Sequence, residues 1–321
     1  MFLVTLLAAL PLAITMRGMI EAHLGRSLRS ETVADGVDND WWQEFTFQAS
    51  GLGTTFTPSV IGFATTLDSV SSVLDGRPQQ VQVQGAVAIY LVVWTFLSGG
   101  IIDRYARQRR TRAHGFFAAA GVFFWRFLRL AVIAGVVYWF MFGYVHEWLF
   151  DDLYTWLTRD LAVERTAFLW RAALYLLFGL TLIKTTLVFD YARIRMVVED
   201  RRSAVGSLIA ALGFIVRRRG PVFGLYGLNA LVFLVLAGVW ALVAPGAGGA
   251  GLSMWVGLVL SQLYVLARLL LKLQFMASQT AIFQASLAHA AYTAVPEPTW
   301  PESPAAELIT RSVQPVDARR E

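Results

Sequence analysis

Six apolar stretches, each about the length needed to cross a lipid bilayer, dominate this sequence. A helix needs roughly 20 apolar residues to span a hydrocarbon core of about 30 Å. Charged residues make up only 15% of the 321 positions, whereas a soluble domain usually carries about 25%. The pattern predicts an all-α polytopic membrane protein with about six transmembrane helices and additional interfacial amphipathic helices. The stretches are approximately 1–20, 85–102, 130–149, 167–188, 222–243 and 252–271.

The first stretch differs from a secretory signal peptide. It lacks a basic start, and Met16-Arg17 follows the apolar run where a small-residue cleavage site would be expected. We therefore interpret it as a retained first helix, with Pro11 as a kink.

Arginine is distributed unevenly between the connections. Residues 103–115 hold five arginines and residues 190–220 hold seven, whereas residues 21–81 and the connection after the third stretch are net acidic. Arginine-rich connections stay in the cytoplasm. The alternation therefore predicts a multi-pass protein of the cytoplasmic membrane, with both termini in the cytoplasm.

The arginine blocks are the candidate binding residues. They are short and adjoin apolar spans, and they are not interleaved with stacking aromatics on a soluble domain. Juxtamembrane arginines each contribute about 1 kcal/mol toward an anionic membrane surface. We therefore expect membrane phospholipids, or other membrane-protein subunits, as partners and not nucleic acid. The candidates are Arg104, Arg107, Arg109, Arg110, Arg112, Arg126, Arg129, Arg217, Arg218 and Arg219.

Two amphipathic helices are predicted in the long acidic connection. Asp40 and Gln43 form a capping-box pattern that would open the first helix, with Trp41 and Trp42 at headgroup depth. The second would begin at Thr57-Pro58 and stop at Gly76.

Three further helical stretches outrun the membrane. Residues 116–150 would form one helix of roughly 50 Å, which places Arg126 and Arg129 at the inner interface. Ser203 could cap an interfacial helix whose apolar face includes Leu208 and Leu212, with Ser207 tolerant of change. The stretch from 252 closes a transmembrane domain of residues 1–291, and the proline-rich residues 292–321 are predicted to be a disordered cytoplasmic tail.

The sequence offers no recognisable reaction centre. It has no cysteine, and its four histidines are scattered. We therefore expect no metal, no cofactor and no enzymatic activity. Arg171, Lys184 and Lys272 lie near span ends and are expected to reach the headgroups.

Two segments carry a family resemblance: Phe96-Leu-Ser-Gly-Gly-Ile-Ile-Asp103 and Asp190-Tyr-Ala-Arg-Ile-Arg-Met-Val-Val-Glu-Asp200. Together with the helices that follow them, they resemble the six-helix membrane domain of some bacterial glycerophosphodiester phosphodiesterases and related uncharacterised bacterial membrane proteins. The catalytic barrel of those enzymes has no counterpart in these residues, so the resemblance implies no phosphodiesterase activity.

Two functions remain open from the sequence. The first is a non-enzymatic inner-membrane protein that acts as a scaffold, as an accessory subunit or in membrane-lipid homeostasis. The alternative is a transporter or permease for a lipidic or small apolar solute, which would require a polar cavity near the membrane midplane.

Overall fold

The computed structural model describes residues 2–25, 27–36, 38–56, 71–72, 74–76, 81–108, 112–244 and 251–294, with side chains as far as residue 287. The chain divides into two compact units, Met1–Ile282 and Phe283–Glu321. The described part of the second unit is helical. Residues 292–294, expected to open the tail, belong to that helix, and 295–321 lie outside the described residues.

Six helices are long and apolar enough to cross a membrane, which confirms the predicted fold class. All regular structure in the described residues is helical. The chain is an all-α, multi-pass membrane protein. Its six long helices are α1 (Phe2–Leu24), α4 (Val81–Arg107), α5 (Ala113–Thr158), α6 (Glu164–Val198), α8 (Arg219–Val243) and α9 (Leu252–Ala294); the shorter ones are α2 (Ser30–Asp35), α3 (Asn39–Gln48) and α7 (Ala204–Arg217).

The chain's arginine blocks flank one set of helix ends. Helix α4 ends and α5 begins there, α6 ends there, and α8 begins there. We call this side the arginine face and the side where α6 begins the opposite face. Most of the buried polar side chains belong to the halves of the helices nearer the arginine face, including Ser98, Asp103, Arg195 and Ser207.

Helices α4 and α5 pack closely because two glycines remove side chains from their interface. A Cβ at Gly99 would lie 2.9 Å from the Cβ of Phe123, and a Cβ at Gly100 would lie 2.8 Å from the carbonyl oxygen of Phe116. Small residues permit this approach between membrane helices. The glycine pair therefore has a packing role.

Replacing Gly100 by alanine should therefore destabilise the protein by about 1–3 kcal/mol, because the added methyl meets backbone that has no alternative rotamer. Gly121 lies in the same helix pair, and a Cβ there meets nothing within 4 Å. Its alanine variant should be neutral, or more stable by up to about 1 kcal/mol. Unfolding of the purified proteins in detergent measures both, and equal stabilities would contradict the packing.

Helix α5 continues beyond one bilayer thickness, as its sequence predicts. Two π-helical segments, Met141–Val145 and Trp148–Leu153, interrupt its regular winding toward the opposite face. Each widened turn shifts the faces of the helix that follows. The π segments contribute Met141 and Leu149 to an apolar core with Leu174 and Phe178 of α6.

His146 lies between the two π segments and fastens the preceding connection to the helices. Its Nε2 lies 2.8 Å from the carbonyl oxygen of Leu74, and its ring packs against Phe150 and Phe178. The neighbouring Asp75 accepts a 2.5 Å hydrogen bond from the Tyr175 hydroxyl. These contacts give His146 a structural role at the end of its span.

The acidic connection begins with a small folded segment whose cap differs from the prediction. Asp38, two residues before the expected Asp40, caps α3 by accepting from the backbone N–H groups of Asp40 and Trp41. Those bonds, led by the one from Trp41, together with the Arg29 guanidinium at 3.2 Å, hold the pKa of Asp38 below its usual range. Residue Asp38 is the better cap because its extended backbone aims the carboxylate at the first free N–H groups.

Trp41 packs inside the protein beside the end of α1, so its ring contacts other side chains. It is 4% exposed, stacks on Phe45 with ring centroids 5.4 Å apart, and meets the edge of His23 from α1. The predicted second helix, from Thr57 to the stop at Gly76, lies mostly outside the described residues. Gly76 itself has φ +61°, a conformation suited to glycine.

Helix α7 begins where predicted, with Ser203 Oγ accepting from the backbone N–H of Gly206 at 3.1 Å. One position, Ser207, differs from the prediction. Ser207 is fully buried and belongs to the face of small side chains that approaches its neighbours closely, whereas Leu212 is 50% exposed. Ser207 is therefore a packing position, because only a small residue fits where two helices lie close together.

Candidate functional site

Arg195 of α6 joins α6 to α7 at the arginine face. Its Nε and one terminal nitrogen donate to the two carboxylate oxygens of Glu199 at 3.2 and 2.7 Å, and its other terminal nitrogen donates to the Ala210 carbonyl oxygen of α7 at 2.6 Å. The side chains of Arg195 and Glu199 are 11% and 17% exposed. Arg201 pairs with the same carboxylate. This planar two-point pairing is the geometry for which arginine is suited.

Arg126 of α5 binds the connection between α6 and α7. It donates to Asp200 at 2.5 Å, and its own side chain is 13% exposed. The hydrogen bond from Arg126 holds the pKa of Asp200 below its usual range. Within α4, Arg107 similarly pairs with the buried Asp103 at 2.7 Å. Two of the predicted binding arginines, Arg107 and Arg126, are thus occupied by acids of the same chain.

The remaining described candidates face outward without an acidic partner. Each is exposed, and none forms an ion pair with a described residue; Arg129 Nε donates only to the carbonyl oxygen of Trp125. Arg109 and Arg110 lie outside the described residues. The exposed candidates are Arg104, Arg112, Arg129, Arg217, Arg218 and Arg219.

Helix α7 presents large apolar side chains between these arginines. Val205, Ile209, Leu212 and Val216 are 58%, 66%, 50% and 60% exposed. Such a row, with Arg217 directly after it, is typical of a helix that lies in the interfacial layer of a membrane. The arginine face therefore combines cations that have no acidic partner among the described residues with an exposed apolar surface.

A second polar cluster, within the membrane-spanning helices, was missed by the sequence interpretation. Asp190 of α6 pairs with Arg193 at 3.4 Å and lies within electrostatic range of Lys272 of α9. The side chain of Gln279, 2% exposed, neighbours the Asp190 carboxylate, while its Nε2 is buried without a hydrogen-bond partner in the described structure.

Contacts between α8 and α9 define the depth of this cluster. Trp240 stacks on Tyr264 with centroids 4.4 Å apart, and Tyr226 packs on Phe275 at 5.0 Å. Lys272 lies between these two contacts along α9. At 1.5 Å per residue it is therefore level with the middle of α8, roughly 15 Å or more from either end.

The sequence suggested that Lys272 lies at the end of its span and reaches the headgroups. The structure places it near the middle of the span instead. Its Nζ lies 3.5 Å from the ring centroid of Trp94 in α4. Arg268, one turn earlier, lies over Tyr264 at 5.7 Å. The sequence does show Arg268 and Lys272 four residues apart on an otherwise apolar helix. Their depth in the membrane could be inferred only from the contacts with the partner helix α8.

The two cations border a cleft of about 330 Å³ between α8 and α9. Asn229 and Tyr226 add polar groups, and Asn229 is 7% exposed. The rest of the lining is apolar: Ala230, Phe233, Leu271 and Phe275. A few polar groups at the end of an apolar cleft are typical of sites that orient an amphiphilic ligand.

The other basic residues in the spans remain near the opposite face or at the helix surface. Arg171 lies over the rings of Tyr154 and Tyr175, 5.8 Å from each centroid. Lys184 is exposed. Neither lines the cleft.

Comparisons of the chain with protein-family models, curated proteins and solved structures give no match. The two segments that carry the family resemblance both contribute to the arginine face. They supply Asp103, the partner of Arg107, and Asp200, the partner of Arg126.

Proposed function

We propose that this protein binds anionic phospholipid at the cytoplasmic surface of a bacterial inner membrane and acts there in membrane-lipid homeostasis, without itself catalysing a reaction. The observation that carries the proposal is the set of exposed arginines without acidic partners in the described structure. All six adjoin the spans, and Arg217, Arg218 and Arg219 also lie at the end of the apolar surface of α7.

The physical argument concerns what these groups contact. Exposed Ile209 and Leu212 would be costly in water, since burying such a side chain contributes about 1.5–3 kcal/mol. Acyl chains can cover them, and the flanking Arg217, Arg218 and Arg219 then lie among phosphate groups. Anionic lipid therefore suits both the apolar side chains and the arginines of this surface.

Changing Arg217, Arg218 and Arg219 together to glutamine should strip anionic phospholipid from the purified protein. Three juxtamembrane arginines are together expected to contribute about 3 kcal/mol toward an anionic surface. Quantitative mass spectrometry of co-purifying lipids, expressed per protein, measures the loss.

The matched control changes Arg17, Arg159 and Arg165 to glutamine. This control removes three positive charges from positions away from the arginine face. Two of the three arginines, Arg17 and Arg159, are in exposed ion pairs. Its anionic lipid content should be unchanged. Equal lipid content in both variants would contradict the proposal, whereas loss of a co-purifying protein in place of lipid would favour an accessory subunit.

Transport of a lipidic solute is the second candidate, favoured by the cations at mid-depth in the cleft. A carrier needs a polar site that both membrane faces can reach in turn. Protein-dependent movement of a labelled lipid between the leaflets of reconstituted vesicles would rank transport first.

A further inference from the structure

We propose that the cleft between α8 and α9 binds the phosphate group of a phosphomonoester lipid, such as phosphatidic acid, with Arg268 and Lys272 as the anion-binding residues. The proposal rests on the lipid-handling function above and adds a second site with its own selectivity. The arginine face would attract anionic lipids in general. The cleft would select one headgroup class.

Charge within the cluster is unbalanced. Asp190 is the single carboxylate near Lys272 in the described structure, and it already pairs with Arg193 at 3.4 Å. Arg268 and Lys272 form no ion pair with a described residue, and both are exposed at the surface of the described helices. Ionisable groups at this depth are costly and are usually paired. The positive charges of Arg268 and Lys272 therefore have no acidic partner of their own in the described structure.

A phosphomonoester matches that charge. Its phosphate carries about −1.5 to −2 charges near neutral pH, whereas a phosphodiester or a carboxylate carries one. Arginine offers a planar fork for phosphate oxygens, and lysine adds a compact point charge. The pair is spaced i, i+4 on α9, so that both side chains project from one face of the helix.

The cleft also has polar and apolar parts suited to an amphiphile. Tyr226 and Asn229 can serve the remaining phosphate oxygens, and Phe233, Leu271 and Phe275 offer apolar walls to the adjoining chains. The cavity of about 330 Å³ is larger than a phosphate ion requires.

The first test uses the wild-type protein alone. The full chain, delipidated in detergent, is titrated by native mass spectrometry with phosphatidic acid and with phosphatidylglycerol of identical chains. One phosphatidic acid should bind with roughly ten-fold preference, as expected for one additional charge-assisted interaction. Equal affinities would overturn the proposal, and this readout depends on no variant.

The second test compares variants. Changing Arg268 and Lys272 together to glutamine should abolish the preference and weaken phosphatidic acid binding by roughly 100-fold or more. Lys272→Arg should keep it. The protein with Arg217, Arg218 and Arg219 changed to glutamine should also keep the preference while losing general anionic lipid. Thermal unfolding without added lipid should show the double variant at least as stable as wild type, because it removes two cations from the spans.

The outcomes separate the two proposals and the two sources of phosphate. If the double variant retains the preference, the cleft proposal fails while the arginine face can still stand. If the triple variant keeps all anionic lipid, the arginine face fails while the cleft can stand. Inorganic phosphate should neither stabilise the protein nor compete at the concentration where phosphatidic acid saturates; equal competition would assign the cleft to free phosphate. A protein lost only from the double variant, with lipid unchanged, would assign it to a partner subunit.

Discussion

Replacing Arg195 by glutamine should destabilise the protein by about 3–5 kcal/mol, the usual cost of removing one partner from a largely buried ion pair. The change leaves Glu199, 17% exposed, with the more exposed Arg201 as its one cationic partner among the described residues. It also removes the bond to the Ala210 carbonyl oxygen that joins α6 to α7. Detergent-purified variants unfolded by heat or denaturant would measure the difference.

Two controls isolate the buried pair. Arg201→Gln removes the other partner of Glu199, but its side chain is 43% exposed, so its cost should be at most about 1 kcal/mol. Adding Glu199→Gln to the Arg195 variant should restore part of the lost stability, because no unpaired carboxylate then remains. An Arg195→Gln protein as stable as Arg201→Gln would show that the pair does not hold α7 in place.

Cysteine labelling should divide the chain into two faces with an all-or-none result. The natural chain has no cysteine, so each introduced thiol is the single reactive one. Ser30 and Leu161 are exposed on the opposite face, and His114 is exposed at the start of α5 on the arginine face. An impermeant thiol reagent added to intact cells should label cysteine at Ser30 and Leu161 but not at His114.

The reason is that arginine-rich connections are retained in the cytoplasm during insertion. Permeabilised cells provide the control, since all three cysteines should then react. Labelling of His114→Cys in intact cells, with Ser30→Cys protected, would invert the topology. It would also move the arginine face, and the lipid proposed to bind there, to the other leaflet.

The contacts separate arginines with partners in the same chain from exposed arginines without an acidic partner, a difference that the sequence does not show. Arg107, Arg126 and Arg195 hold helices and connections of the same chain through acids or a carbonyl oxygen. The exposed group represented by Arg217–Arg219 has no such partner in the described structure. The proposed lipid test changes Arg217, Arg218 and Arg219 because no acid of the described structure competes with lipid for them.

The sequence by itself determined the features that depend on neighbours along the chain. Apolar stretches of sufficient length predicted six spans, because backbone polar groups in lipid must be satisfied within helices. Ser203 was recognised as a cap, since a cap bonds to N–H groups two or three residues away.

Tertiary structure decided which side chains meet across helices and at what depth. Asp190 and Lys272 are 82 residues apart, and nothing local relates them until the fold brings them within electrostatic range. Lys272 seemed to end its span because hydropathy marks where an apolar run stops, whereas the register with α8 places it near the middle. Ser207 seemed tolerant because its polarity suggested a solvated face, but its small volume lets α7 pack closely. Register and close packing depend on how several helices pack against one another. They therefore cannot be predicted from the sequence of a single helix.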